Sequence, residues 1–262
     1  MMVGLTVKQG SFINFLSGFS GMHDLVINID DEGYSASGTV ERSYFVKRWT
    51  AYCEDEGCVN AGSLPLGQLE LFKSLISGCG SGGNPITITL ENDILSITGA
   101  EASFSMPPVA EAHSQAGVES LTEMLLVAKE GKWDSFGESD ITFALDFDAP
   151  TFQQLRNVGK AIQTGALYCV SVDETFTLEA VRDQIRVQKE LEYGEFSTTG
   201  DESILWFGKW LMDALKAMPG KGTVHVYGSN DAPLIIRHEA PDDEAWGTLC
   251  VIAPRQESGD EA

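Results

Sequence analysis

Along the 262-residue chain, stretches whose apolar positions recur every second residue alternate with stretches where they recur every three or four. In residues 10–20, Phe12, Phe15, Leu16 and Phe19 fall at i, i+3, i+4 and i+7, which predicts a short helix with one buried stripe. Residues 24–30, 33–40 and 44–53 alternate instead and predict three strands joined by polar turns, the first turn being Asp-Asp-Glu-Gly. A second helix is predicted over 66–77, with Leu69, Phe72, Leu75 and Ile76 on one face. After a glycine-rich break, "ITITLEND", "ILSITG" and "EASFSMPPV" predict three more strands. Strand signals then stop between 110 and 140, a length typical of functional loops and linkers.

Beyond residue 140 the same programme begins again. The strand "ITFALDFDA" leads to a helix over 151–163, with Phe152, Leu155, Gly159 and Ile162 toward the core. Strands at 166–173, 175–182 and 184–193 follow, then a helix over 205–218 and strands at 223–231, 233–240 and 248–255. Each half reads strand, helix, three strands, helix, three strands, and such a repeat governs how the whole chain is interpreted. The expected organisation is an N-terminal domain over 1–110, a connector over 111–139, a C-terminal domain over 140–256 and an acidic tail over 257–262. The connector carries its own apolar cluster of Leu121, Met124, Leu125, Leu126 and Trp133, which fits either a cover over a pocket or a helix sealing the two halves.

Charge changes this picture more than any other property. Against 39 Asp and Glu stand only 17 Lys and Arg, a formal charge of −22 that opposes non-specific adhesion to phosphate or anionic lipid. An acidic chain touches DNA only if its few cations are gathered on one surface. Arg156 and Lys160, four apart, share a helix face; Lys209 and Lys216, seven apart, share another, opposite Leu211, Ala214, Leu215 and Met218. Lys73 lies on the polar side of the second predicted helix, Lys8 precedes the first and Lys221 follows the last. The first helix offers Asn14 and Ser17 where cations would help, and Asp213 weakens the field around Lys209.

The remaining chemistry is sparse. Five cysteines lack the paired spacing of a zinc site and read as reduced thiols, mostly in apolar segments; four histidines form no metal-binding or nucleophile–base pattern. No metal, cofactor or catalytic group is expected. The N-terminus lacks the pattern of a secretory signal and no apolar run is long enough to span a bilayer, so a cytoplasmic, membrane-free protein is expected.

The order of these pieces resembles the sliding clamps of the proliferating cell nuclear antigen (PCNA) family, of archaeal or archaeal-virus type. "DAPLIIRHEA" followed by "WGTLCVIAPR" is similar to the family's paired C-terminal strands, "VKQGSFINFL" to its opening strand and helix, and "LGQLELFKSLISGC…ITITLENDILSITG" to the middle of its first domain. The resemblance implies an α+β duplicated DNA clamp fold in which three chains close head to tail into a pseudo-sixfold ring, helices lining the hole and antiparallel sheets outside. It implies a non-enzymatic processivity factor that encircles duplex DNA, with Lys8, Lys73, Arg156, Lys160, Lys209, Lys216 and Lys221 toward the DNA. It also implies a homotrimer, a clamp loader, and docking peptides of DNA polymerase and related enzymes. The peptide pocket maps to Thr39, Val40, Pro233, Val251, Ile252, Ala253 and Pro254, with Val251 where the family places an aromatic ring. The edge strands expected to pair between subunits are "EASFSMPPV" and "QIRVQKELEY". The acidity fits an archaeon of saline habitat, or the host cell of an archaeal virus. Two other classes stay open: a monomeric or dimeric clamp-like accessory factor, and an acidic β-rich ligand-binding protein.

Overall fold

A computed structural model of the chain describes residues 2–19, 21–22, 25–40, 43–107, 135–162, 165–193, 196–198, 202–241 and 246–255. The connector cluster and the acidic tail lie outside the described residues. Packing divides the chain into two compact units: the first within Met1–Val40, Val46–Ser120 and Asp242–Gly247, the second within Glu41–Phe45, Leu121–Pro241 and Thr248–Ala262.

In the first unit, β1 (Val3–Lys8) runs into α1 (Gln9–Ser17), followed by β2 (Leu25–Ile29), β3 (Gly33–Val40), β4 (Tyr44–Ala51), whose first two residues pack with the second unit, β5 (Gly57–Asn60) and β6 (Gly62–Leu66). Then come α2 (Leu69–Ser77), β7 (Pro85–Glu91), β8 (Ile94–Thr98) and β9 (Ser103–Met106). The neighbours are β5-β1-β7-β8-β9 in one sheet and β6-β2-β3-β4 in a second array. A two-residue-stranded hairpin, β10 (Ser135–Phe136) with β11 (Ser139–Asp140), precedes the repeat.

The second unit copies this order. It contains β12 (Phe143–Asp148), α3 (Ala149–Gln153), α4 (Arg156–Ala161), β13 (Leu167–Val172), β14 (Phe176–Arg182), β15 (Ile185–Leu191), β16 (Phe196–Thr198) and β17 (Ser203–Phe207). It ends with α5 (Trp210–Ala217), β18 (Thr223–Ser229), β19 (Ala232–Glu239) and β20 (Trp246–Ile252), whose first two residues pack with the first unit. Its neighbours are β16-β12-β18-β19-β20 and β15-β14-β13-β17. The duplication extends to register. Lys8 opposes Pro85 in β1–β7 and Asp148 opposes Thr223 in β12–β18; Leu5 opposes Cys58 where Leu145 opposes Phe196.

Alternation sets the core. Leu5 and Val7 on β1, and Phe143, Leu145 and Phe147 on β12, point inward and are buried. Against them lie Phe12, Leu16, Phe72 and Ile76 in the first unit and Phe152, Val158, Leu211 and Leu215 in the second. Aromatic rings join helix to sheet in both: Phe15 of α1 meets Tyr34 of β3 edge-on at 4.9 Å between centroids, and Phe152 of α3 meets Phe147 of β12 at 5.4 Å, tilted.

Three differences from the periodicity reading have local causes. Each unit has two further strands before its second helix. In the first, the short β5 and β6 hold glycine and Pro65, and β6 is an edge strand, where a proline is tolerated. In the second, residues 205–207 belong to β17 rather than to the helix predicted over 205–218. Its "SILWF" alternates buried and exposed, and the helix starts only after Gly208. The helix predicted over 151–163 starts at Ala149 and is broken into α3 and α4. Asp148 caps it by accepting the Thr151 N–H at 2.9 Å, and Pro150 fits the first turn. Through the break, Gln154, Leu155, Asn157 and Val158 all donate to carbonyls three residues back, the tighter 3₁₀ pattern.

The cap makes a pH-dependent prediction. The Thr151 hydrogen bonds hold the Asp148 carboxyl below its ordinary pKa, so its stabilisation is present above the unfolded value of about 3.9 and fades as pH falls through the lower folded value. Asp148→Ala should lose about 1 kcal/mol in urea melts at pH 7, and the gap to wild type should narrow below about pH 4.

Candidate nucleic-acid interface and docking edge

Both units set two helices side by side. In the first, α1 packs on α2; in the second, α4 packs on α5. One polar side chain ties each pair by bonding carbonyls of the last helical turn, which have no intrahelical partner. In the first unit this is Gln9, 2% exposed, whose Nε2 donates to Ile76 O at 2.5 Å. In the second it is Arg156, whose Nε donates to Leu215 O at 2.9 Å and whose Nη2 donates to both Lys216 O and Met218 O. Partial burial draws the Arg156 pKa below the usual guanidinium value. A further guanidinium, Arg48 from β4, caps α1: it donates to Asn14 O at 2.9 Å and Phe15 O at 2.6 Å and lies over the Phe15 ring.

The seven sequence-predicted cations therefore differ in kind. Lys160, Lys209, Lys216 and Lys221 are exposed, all in the second unit. Lys209 Nζ sits 4.0 Å from the centroid of the Trp210 ring, and Lys216 Nζ lies 3.2 Å from Asp213 Oδ1. Lys221 stands on a fixed turn, because its carbonyl accepts the His238 Nε2–H and the next residue, Gly222, has φ +92°. A Cβ at Gly222 would fall 2.1 Å from Glu239 O, so glycine is required there. Arg156 is half-buried and structural. Lys73 is half-buried and paired with Glu70 at 2.6 Å, and Lys8 is half-buried beside Glu56, whose Oε1 accepts its backbone N–H at 2.8 Å.

The sequence-predicted pocket residues also separate. Thr39 and Val40 end β3 in the first unit, half-buried, and Pro233 is half-buried in β19. Val251 and Ile252 are 5% and 1% exposed, so they support the strand from inside, while Ala253 is exposed and Pro254 half-buried. The chain end is held by Ala253 N–H on Ser43 O at 2.9 Å and Arg255 N–H on Trp206 O at 2.7 Å. Beside it a groove of about 510 Å³ is lined by Ile204, Leu205, Trp206, Asn230, Asp231, Pro254 and Arg255. Of the seven predicted pocket residues only Pro254 lines it. Ile204, 49% exposed, and Trp206 escape sequence reading because the apolar run from 205 onward predicts helix; the period-2 alternation of "SILWF" is the available signal.

No group of His, Cys, Asp or Glu that could hold a metal ion occurs among the described residues. Cys79, Cys169 and Cys250 are buried, Cys58 is intermediate and Cys53 is exposed, all as thiols, and burial pushes the Cys79 and Cys169 thiols up, away from the reactive thiolate.

No protein-family model and no curated protein sequence matches the chain. Solved structures do. A PCNA from Thermococcus kodakaraensis superposes with TM-score 0.68 at 14% identity, over 97% of this chain and 100% of that one. A PCNA from A. fulgidus, in a structure with the C-terminal region of FEN-1 bound, gives 0.69 at 13%, over 98% and 99%. A PCNA2–PCNA3 complex from Sulfolobus tokodaii gives 0.67 at 16%, over 97% and 99%. The chain has the PCNA-type clamp fold over nearly its whole length.

The two kinds of cation should separate in mutants. Arg156→Met should destabilise the protein by roughly 1.5–3 kcal/mol in chemical melts, since it leaves helix-end carbonyls without their charged donor, whereas Lys160→Gln should stay within about 0.5 kcal/mol of wild type.

Proposed function

We propose that the chain is a DNA sliding clamp, three copies of which close into a ring around duplex DNA and tether replication and repair enzymes to it. It acts as a scaffold rather than a catalyst, in the cytoplasm. Retention is topological: a closed ring cannot leave duplex sideways, so processivity requires no tight contact with bases, and a clamp loader must open it.

The carrying observation is the pairing left over by the duplication. By place in the repeat, β20 corresponds to β9 and β4 to β15. In the second unit the start of β4 lies beside β20, with Ala253 bonded to Ser43. The corresponding pair, β9 and β15, ends each of its sheets with one described neighbour apiece. Joining β9 of one copy to β15 of the next repeats the same contact head to tail and covers both edges. Two repeats per chain make three copies a sixfold set. Ile185, 58% exposed at the start of β15, supplies an apolar group for that contact.

In this reading Lys8, Lys73, Arg156, Lys160, Lys209, Lys216 and Lys221 belong to the DNA side. Partner peptides dock along the chain end of the second unit, on Pro233, Ala253 and Pro254 over the buried Val251 and Ile252, with Ile204, Trp206 and Arg255 extending the surface. An apolar anchor held there dominates the affinity.

Sedimentation at low and high salt tests the ring: the particle should have about three times the 28.4 kDa chain mass. Ile185→Glu should shift it to single chains without lowering the melting temperature by more than a few degrees. Single chains of the wild type at every salt and concentration would contradict the ring.

A further inference from the structure

We infer that the second unit alone holds the duplex, through Lys160, Lys209, Lys216 and Lys221, and that the helix pair of the first unit is a neutral face past which phosphates slide unbound. This deepens the clamp reading and rests on it.

The outer face of α1 and α2 carries Ser11, Asn14, Ser17, Glu70, Leu71, Ser74 and Ser77, all exposed. Three of these serines are already committed. Ser17 Oγ donates to Ile13 O at 2.8 Å, Ser74 Oγ to Glu70 O at 2.9 Å and Ser77 Oγ to Lys73 O at 2.9 Å. A hydroxyl has one proton to give, so each of the three turns only lone pairs outward. Phosphate oxygens are acceptors too, and two acceptors make no bond. Ser11 and Asn14 are uncharged, and a neutral contact releases no counterion.

Among the described residues, three cations of this unit near the helix pair are withdrawn from the same face. Lys73 is held by Glu70, whose side chain is 75% exposed and balances the lysine's charge at the face. Arg48 is 9% exposed, its guanidinium occupied by the carbonyls at the end of α1. Lys8 is half-buried with the Glu56 carboxylate at its backbone nitrogen. Leu71, 48% exposed, adds an apolar group that no phosphate would seek.

The corresponding face of the second unit has the opposite character. Gln154, Asn157, Lys160, Lys209 and Lys216 are exposed on α3–α5 and their flanks, with Lys221 on its rigid turn. Lys216 keeps 61% of its side chain exposed while its partner Asp213 keeps 15%, so the cation projects beyond the carboxylate. With only 17 cations against 39 anions, the chain places the most exposed of its described lysines in one sector per copy. A ring of three copies then presents three basic sectors separated by three neutral ones.

The test is the salt dependence of binding to a short bead-attached duplex, measured as log Kobs against log salt. Removing one lysine–phosphate pair should reduce the slope by about 0.9. Lys160→Gln with Lys216→Gln should flatten it by roughly two such pairs for each engaged copy. Lys8→Gln with Lys73→Gln should leave it unchanged, and Ser74→Lys should steepen it. All these positions lie at or near the surface, and sedimentation of each variant separates weaker DNA binding from failed assembly. An equal or larger loss of slope for the Lys8 and Lys73 pair overturns the inference while leaving the ring intact. A wild type that runs as single chains but keeps the second-unit slope removes the ring and retains the inference. No binding by wild type at low salt overturns both.

Discussion

In each unit the strand that leads into the first helix pairs antiparallel with the strand that leaves the second. β1 meets β7 across some eighty residues with Lys8 opposite Pro85, and β12 meets β18 with Asp148 opposite Thr223. The next backbone bond is the same in both: Gln9 N–H on Asn84 O at 3.0 Å, Ala149 N–H on Gly222 O at 2.9 Å. That bond places the start of the first helix at the start of the strand after the second. The helices are therefore forced side by side, and their outer residues become one surface. A one-residue slip in this register would turn Leu5, Val7, Leu145 and Phe147 from core to solvent.

Electrostatics then divides two units of one topology. In both, carbonyls at helix ends need donors, and the chain answers with Gln9 and Arg48 in one unit and Arg156 in the other. Guanidinium groups suit this work because they present several donors in a fixed fork. The lysines remain for the surface, and in a chain with a formal charge of −22 their placement decides where an anion can approach. Hydroxyls that donate to their own helix complete the contrast without any change of backbone.

Much of this is legible in the residues. The strand–helix order, the repeat and the inward aromatic positions follow from periodicity, because Phe12 with Phe15 and Phe152 with Leu155 recur at helical spacing beside strictly alternating strands. The short strands β5, β6, β16 and β17 are not, since three to five residues carry too little periodicity, and "SILWF" joins an apolar run that also fits a helix. Among the cations, spacing places Arg156 and Lys160 on one helix face, but only the three-dimensional contacts distinguish a buried cap from a free lysine. The candidate docking edge is legible at its last strand alone: Pro254 stands out in the sequence, while Trp206 is joined to the chain end by its carbonyl's bond to the Arg255 N–H, with Ile204 lining the same groove, and no local pattern encodes that contact.

Whether duplex passes through a closed ring is decided most directly by DNA topology. Protein threaded onto linear duplex, which is then ligated into a circle, is washed at salt high enough to screen surface charge. A closed ring should stay on the circle through the wash and leave after a single double-strand cut. Equal loss from intact and cut circles would contradict topological retention.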